Sequence, residues 1–346
     1  MIVVQRGNTV PNPSTTPIDL VLAGGGVKGI GLVGAVVKLM EAGYRAYRVA
    51  GSSAGSIVGA LVAAAAKDDQ MTPQEIRDLA LSIDYRKFTD RGPVESVPLL
   101  GPTWAILQGS GIYKGDYART FVADQLENLG VRTFGDLKLD DDDLPEERRY
   151  RLVVTAADVT TGQLVRLPWD YRRVYGLDPD EQLVADAVRA SMSIPFVFRT
   201  VELTSATGRT STLVDGGLLS NYPIDSLDRL DGKKPRWPTL GVTLLPNLPE
   251  NNDKVIPALA PLQLFGGPSL LEDVITTVLV GRDQAYLNQP WVSARTIRVD
   301  STEVGVLDFD ISRAEIDALY ARGCEAAAAF LSTWDEQAYL KRFRRP

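Results

Sequence analysis

Apolar positions along this chain of 346 residues switch between two spacings. The run Leu20-Val21-Leu22, bounded on its C-terminal side by glycines, reads as a strand buried on both faces. Behind it, Leu32, Ala35, Val36, Leu39 and Met40 recur at helical spacing. Tyr47 to Ala50 predicts a second strand, and Ile57 to Ala66 an apolar helix. Thr72-Pro73-Gln74-Glu75 opens a helix running to about Ile83, with a capping hydroxyl and a proline in the first turn. Tyr113 to Leu129 is amphipathic, carrying Phe121, Val122, Leu126 and Leu129.

Further on, Arg151 to Asp158 and Gln163 to Trp169 predict neighbouring strands joined at Thr160-Thr161-Gly162. Ala185 to Met192 predicts a helix that stops at Ser193-Ile194-Pro195. Phe198 to Leu203 and Ser211 to Val214 predict a hairpin around Thr207-Gly208-Arg209, and Thr239 to Leu245 a further buried strand. Leu270 to Tyr286 and Ser312 to Trp334 read as helical packing layers. Strand and helix alternate through most of the chain, which places it in the α/β class. Residues 1 to 17, with Asn8, Pro11, Asn12 and Pro13, read as a flexible lead, and 18 to 346 as a single domain without a linker.

Composition removes several function classes. The formal net charge of −7 argues against nucleic acid, which wants a basic face, and disfavours strong adhesion to anionic lipid. The basic tail Lys341-Arg342-Phe343-Arg344-Arg345 reads either as a solvated terminus or as a contact for phospholipid headgroups. No apolar run is long enough to span a bilayer and the first residues lack a signal-peptide core, so the expectation is a cytoplasmic protein whose membrane contact is peripheral. One cysteine, Cys324, permits no internal disulfide and reads as a small core residue. The acidic run Asp140 to Asp143 lacks the spacing of a calcium loop and reads as solvated. Oligomeric state is not legible in this pattern.

The absence of histidine is the most restrictive count. It excludes a Ser-His-Asp triad, a histidine-assisted cysteine and histidine-ligated zinc, and no metal or cofactor is expected. Any serine nucleophile here needs a carboxylate or a lysine as its base.

Two glycine turns then stand out. Gly24-Gly25-Gly26-Val27-Lys28-Gly29 sits between the first strand and its helix, where converging N–H groups and the helix dipole can hold an anion or a developing oxyanion. The spacing also fits a dinucleotide fingerprint, but the second strand ends in Gly51-Ser52-Ser53-Ala54-Gly55 rather than in the acidic residue that a ribose requires. Gly-x-Ser-x-Gly between a strand and an apolar helix is the context of a nucleophile elbow, with Ser53, not Ser52, at its apex and Gly51 and Gly55 letting strand and helix cross.

With both turns in this order, the chain resembles the patatin-like phospholipase family of bacterial type. Asp215-Gly216-Gly217 matches the family's third motif, and further likeness runs through Gly111-Ile112-Tyr113-Lys114-Gly115-Asp116, Ala190 to Pro195 and Ser220-Asn221-Tyr222-Pro223. The likeness covers roughly residues 18 to 225. It implies a three-layer α/β/α fold with a central, mostly parallel sheet, and a serine acyl hydrolase acting on phospholipids or other lipids. It also implies Ser53 as nucleophile, Asp215 as base, and Gly25 and Gly26 as oxyanion donors. Lys28 holds the family's basic position, either favouring an anionic substrate or capping solvent. The apolar, proline- and glycine-rich stretches Arg91 to Gly111 and Ile256 to Leu271 read as a lid, core-covering loops or facing walls of a lipid groove. The competing class is a binding module, either a hydrolase gated by a partner or small nucleotide, as in some patatin-like effectors, or a glycine turn that binds a nucleotide without hydrolysis.

Overall fold

The computed structural model describes residues 15–69, 71–90, 111–245 and 283–343. Its centre is an eight-stranded sheet: β1 (Thr16–Leu22), β2 (Tyr44–Ser52), β3 (Leu152–Asp158), β4 (Gln163–Leu167), β5 (Val201–Thr204), β6 (Thr210–Asp215), β7 (Thr239–Leu244) and β8 (Thr296–Val299). The middle of the sheet, β3-β2-β1-β7-β8, is parallel throughout, while β4, β5 and β6 are antiparallel additions at one side. This is a mixed α/β fold with a mostly parallel sheet, as the resemblance implies. β1 takes in Thr16 and Pro17, two residues that the sequence reading gave to the flexible lead, because both pair in register with Tyr44 and Arg45 of β2. β8 was not anticipated: four residues, with only Arg298 exposed, are too short to show a period.

Helices α1 (Ile30–Glu41), α2 (Ala54–Lys67), α3 (Pro73–Leu81), α4 (Asp116–Asn128), α5 (Val184–Ser191), α6 (Arg313–Leu331) and α7 (Glu336–Phe343) surround the sheet. Both glycine turns lead from a buried strand into a helix, so α1 and α2 cover the β1–β2 face, and α6 packs along α1. There Cys324 donates to the Gly34 carbonyl at 3.3 Å, in keeping with a packing role. Thr72 and Ser312 cap α3 and α6 in full capping boxes with Glu75 and Glu315. The opposite face carries the paired Asp19 and Arg48, whose guanidinium also donates to the Leu227 carbonyl at 2.9 Å. Burying such a pair is tolerated because both partners keep their hydrogen bonds.

One strand does most of the positioning. Along a single edge of β3, residues 152–155 pair with β2, ending at Ser52↔Thr155, and residues 156–158 pair with β6, beginning at Asp215↔Ala156. β4 occupies the other edge. β2 runs parallel to β3 and β6 antiparallel to it, so their C-terminal ends meet head-on. Each chain must leave the sheet where they meet. At that junction a Cβ on Gly216 would lie 2.5 Å from the Thr155 carbonyl oxygen, so only glycine fits.

Several expectations fall on other residues. The loop readings at 91–110 and 256–271, most of the helix read at 270–286, and Arg344 and Arg345 of the basic tail lie outside the described residues; of that helix, the end at Gln284–Leu287 is helical. Lys341 to Phe343 belong to α7 rather than to a loose terminus. The acidic run is not uniformly solvated: Asp141 is buried, accepts from Tyr47 Oη at 2.8 Å and pairs with Arg236.

Candidate active site

Ser53 occupies the turn between β2 and α2 with φ 50° and ψ −124°, a backbone conformation that side-chain-bearing residues rarely adopt. The turn is tight because α2 crosses directly over β1: a Cβ on Gly55 would lie 2.3 Å from the Leu22 carbonyl oxygen. Gly51 faces Gly55 across the same crossing. The Ser53 amide donates to Ser191 Oγ at 2.9 Å, and Ser56 Oγ donates to the Ser53 carbonyl at 2.6 Å. Ser53 is thus held from α5 and from its own helix.

The Ser53 hydroxyl donates to Asp215 Oδ2 at 2.6 Å, across 162 positions of sequence. Asp215 has no exposed surface. Its Oδ1 accepts from the Gly217 amide at 2.7 Å, and its own amide donates to the Ser193 carbonyl at 2.9 Å. Burial pushes the carboxyl up to about 7, against the opposing pull of the Ser53 hydroxyl and the Gly217 amide. A carboxylate with that affinity for protons can take one from a neighbouring hydroxyl near neutrality. Ser52, by contrast, turns away and donates to the Ser220 carbonyl at 3.2 Å.

The first glycine turn closes over the same point. Gly24 donates to the Asn221 carbonyl at 2.9 Å, and Asn221 Nδ2 donates back to the Gly24 carbonyl at 3.2 Å. Val27 is pinned by its amide to the Val306 carbonyl at 3.0 Å. Between them, the Gly25 and Gly26 amides have no hydrogen-bond acceptor among the described residues. The Gly26-to-Gly29 turn then leads into α1.

Lys28 is only 2% exposed, so it does not cap solvent. Burial lowers its ammonium to about 8, with Asp300 pulling the other way. It borders a cleft shared with Gly24, Gly25, Ser53, Asn221 and Thr243. On the other side of Ser53 a second cleft of about 820 Å³ is almost wholly apolar, lined by Ile57, Leu61, Leu79, Ile83, Met192 and Phe198 among others. Ser53 therefore sits where a cleft of mixed polar and apolar lining meets an almost wholly apolar one.

Sequence reasoning named Ser53, Asp215 and the glycines but gave no specific task to Ser191, Ser193, Asn221 or Arg189. Arg189 is buried and donates to Ser193 Oγ at 2.5 Å and to the Arg199 carbonyl at 2.8 Å, bracing the loop that holds the Asp215 amide. Ser191, Ser193 and Asn221 lie in stretches quoted for their likeness, Arg189 one position before the first of these, and nothing in their local spacing marks a chemical role. Among the described residues, no group of three or more histidine, cysteine or carboxylate side chains is arranged to hold a metal ion, and no helix is long and apolar enough to cross a membrane.

The family model described as "Patatin-like phospholipase" matches residues 20–228. The uncharacterized protein YqhO of Bacillus subtilis (strain 168) is 37% identical over 318 residues, covering 92% of this chain and 99% of that protein. Among solved structures, VipD from Legionella pneumophila is similar with a TM-score of 0.50 and 17% identity, over 93% of this chain and 67% of VipD. ExoU, in its complex with SpcU from the type III secretion system of Pseudomonas aeruginosa, has a TM-score of 0.42 and 21% identity, over 92% of this chain and 52% of that one. With three motifs, the sheet that carries them and a family match over most of its length, the chain belongs to the patatin-like phospholipase family.

Proposed function

We propose that the protein is a serine acyl hydrolase of lipase or phospholipase A type, in which Ser53 and Asp215 form a catalytic dyad and Gly25 and Gly26 form the oxyanion hole. The observation that carries this reading is the 2.6 Å hydrogen bond from Ser53 to a fully buried carboxylate, in a chain without histidine. Ionised Asp215 accepts the Ser53 proton as Oγ forms its bond to the ester carbonyl carbon. The carbonyl oxygen becomes an oxyanion facing the Gly25 and Gly26 amides, which have no acceptor among the described residues, a contribution worth on the order of a hundred- to a thousandfold in rate. Collapse of the tetrahedral species breaks the ester C–O bond, and Asp215 returns its proton to the departing alcohol. Water then attacks the acyl-enzyme, giving a proton to Asp215, which passes it back to Ser53 Oγ as the fatty acid leaves.

The two clefts support an ester with an apolar acyl part and a polar alcohol part, hence acyl esters of phospholipids or other lipids as substrates. Lys28 places a cation at the polar side, where an anionic group on the alcohol would be favoured. No cofactor is needed, and contact with a lipid surface is peripheral on this reading. The test is hydrolysis of a p-nitrophenyl acyl ester by the purified protein alongside Ser53→Ala. Turnover lost in the variant supports the assignment; equal turnover in both removes it.

A further inference from the structure

The apolar cleft beside Ser53 does not end in a rounded bowl. It runs along the helices: α2 contributes Ala54, then Ile57 and Val58, then Leu61 and Val62, each step one turn farther from Ser53. On α3, Ile76, Leu79 and Ala80 lie at the i, i+3 and i+4 positions of one face, and Ile83 follows just past the helix end. The space therefore extends along the two helices, with Val33 of α1 also lining it and Met192, Phe198 and Phe309 closing it from other elements.

A second, mostly apolar pocket continues the same stripes. α1 passes from Val33 to Val36 and Met40, and α2 from Val62 to Ala65 and Ala66. Its far wall is Ile18, Leu20 and Tyr44 to Ala46, the N-terminal halves of β1 and β2, at the sheet edge remote from Ser53. Among the described residues, only Val62 and Ile76 line both spaces. They are the partition.

We infer that this slot takes one unbranched acyl chain, and that Val62 and Ile76 set its length by closing off the second cavity. The inference rests on the hydrolase reading above and adds a chain-length limit to it. From position 53 to position 62 the helix advances roughly 13 Å at about 1.5 Å per residue, the length of an extended chain of roughly ten carbons. A longer chain must leave its end in water or push the partition aside, and shortening the two partition side chains joins the spaces. Valine to alanine removes two carbons and isoleucine to alanine three, so the pair opens room for roughly four or five more methylenes.

The experiment uses p-nitrophenyl esters from acetate to palmitate with the full chain, and calorimetric binding of decanoate to Ser53→Ala as a reading independent of turnover. In the unmutated protein kcat/KM should rise by up to roughly fourfold per methylene as far as the decanoate ester, then fall. Val62→Ala with Ile76→Ala should move the optimum toward longer chains. Leu79→Trp or Ile83→Trp, two alternatives in case one does not fold, should lower the decanoate-to-acetate turnover ratio at least roughly tenfold. Introduced into Ser53→Ala, either should also abolish decanoate binding. A profile that is the same in the unmutated protein and in folded partition and slot variants overturns the inference. Ser53-dependent acetate hydrolysis without decanoate binding overturns the slot and spares the hydrolase reading. Decanoate binding that Leu79→Trp abolishes, with no ester turned over, supports the slot and removes the hydrolase reading.

Discussion

The Ser53 amide is satisfied by Ser191 Oγ at 2.9 Å, so the backbone of a residue in a strained turn takes its acceptor from the end of α5. Removing that acceptor leaves a buried N–H unpaired, at a cost of about 1–3 kcal/mol. Ser191→Ala should lower the melting temperature accordingly. On the dyad reading it should also lower kcat more than it raises KM, because the Oγ-to-Asp215 geometry loosens while both clefts stay open. Esterase kinetics with a thermal melt check both.

Asp215 makes two opposite predictions about pH. As the base it must be ionised, so kcat/KM should fall roughly tenfold per unit as pH drops below about 7, and Asp215→Asn should lose most activity at every pH. For stability the sign reverses. A carboxyl raised from 3.8 to about 7 binds more protons folded than unfolded, so its contribution is fully present below 3.8 and is lost as pH rises toward 7. Asp215→Asn should therefore melt above the unmutated protein at pH 8, by an amount on the order of a few kcal/mol, and the difference should shrink toward pH 4. Parallel melts at the two pH values decide it.

Ser53 itself separates strain from chemistry. With φ at 50° and ψ at −124°, glycine adopts this conformation without the penalty that alanine or serine carries. Ser53→Gly and Ser53→Ala should both abolish hydrolysis, yet Ser53→Gly should be the more stable of the two by about 1–3 kcal/mol. Ser52→Ala, which removes a hydrogen bond to the Ser220 carbonyl, should retain far more activity than either.

The central sheet and the two glycine turns were legible because each rests on a local pattern. A buried parallel strand is continuously apolar, and Leu20 to Leu22 shows that directly. The capping box at Thr72 and the stop at Ser193 are equally local. What the pattern does not contain is the meeting of Ser52 and Asp215 on consecutive residues of β3, which depends on strand pairings between stretches far apart in sequence. Lys28 shows the same limit from the other side: a lysine among glycines reads as exposed, and only the packing of the turn makes it one of the most buried cations. The partition of the acyl slot was invisible for a similar reason, since Val62 and Ile76 look like ordinary core positions on their own helices.

Asp141 provides a check remote from the site. Arg236 beside it holds its carboxyl below the ordinary value, with Tyr47 Oη adding a second hydrogen bond. Its stabilisation is present above pH 3.8 and is lost as pH falls through the lower folded value. Asp141→Ala should cost about 1–3 kcal/mol at pH 7 by removing the acceptor of Tyr47 Oη and leaving Arg236 only its longer contact to Asp143 at 3.4 Å, and the deficit should narrow in acid. Among the described residues no carboxylates are arranged to hold a metal ion, so melts with and without added calcium should coincide for both proteins.

The divided edge of β3 also bears on how the chain is made. During synthesis the turn at Ser53 and the β3–β4 hairpin can form from contiguous chain, but the half of β3 beyond Thr155 has no partner on that edge until residues 210–215 emerge. For the intervening interval of translation, the backbone of Ala156 and Ala157 presents an open strand edge to any passing β-segment. Expression at slower elongation or with depleted chaperones should therefore trap aggregates in chains longer than about 160 residues and shorter than about 215, a window set by where β6 lies in the sequence.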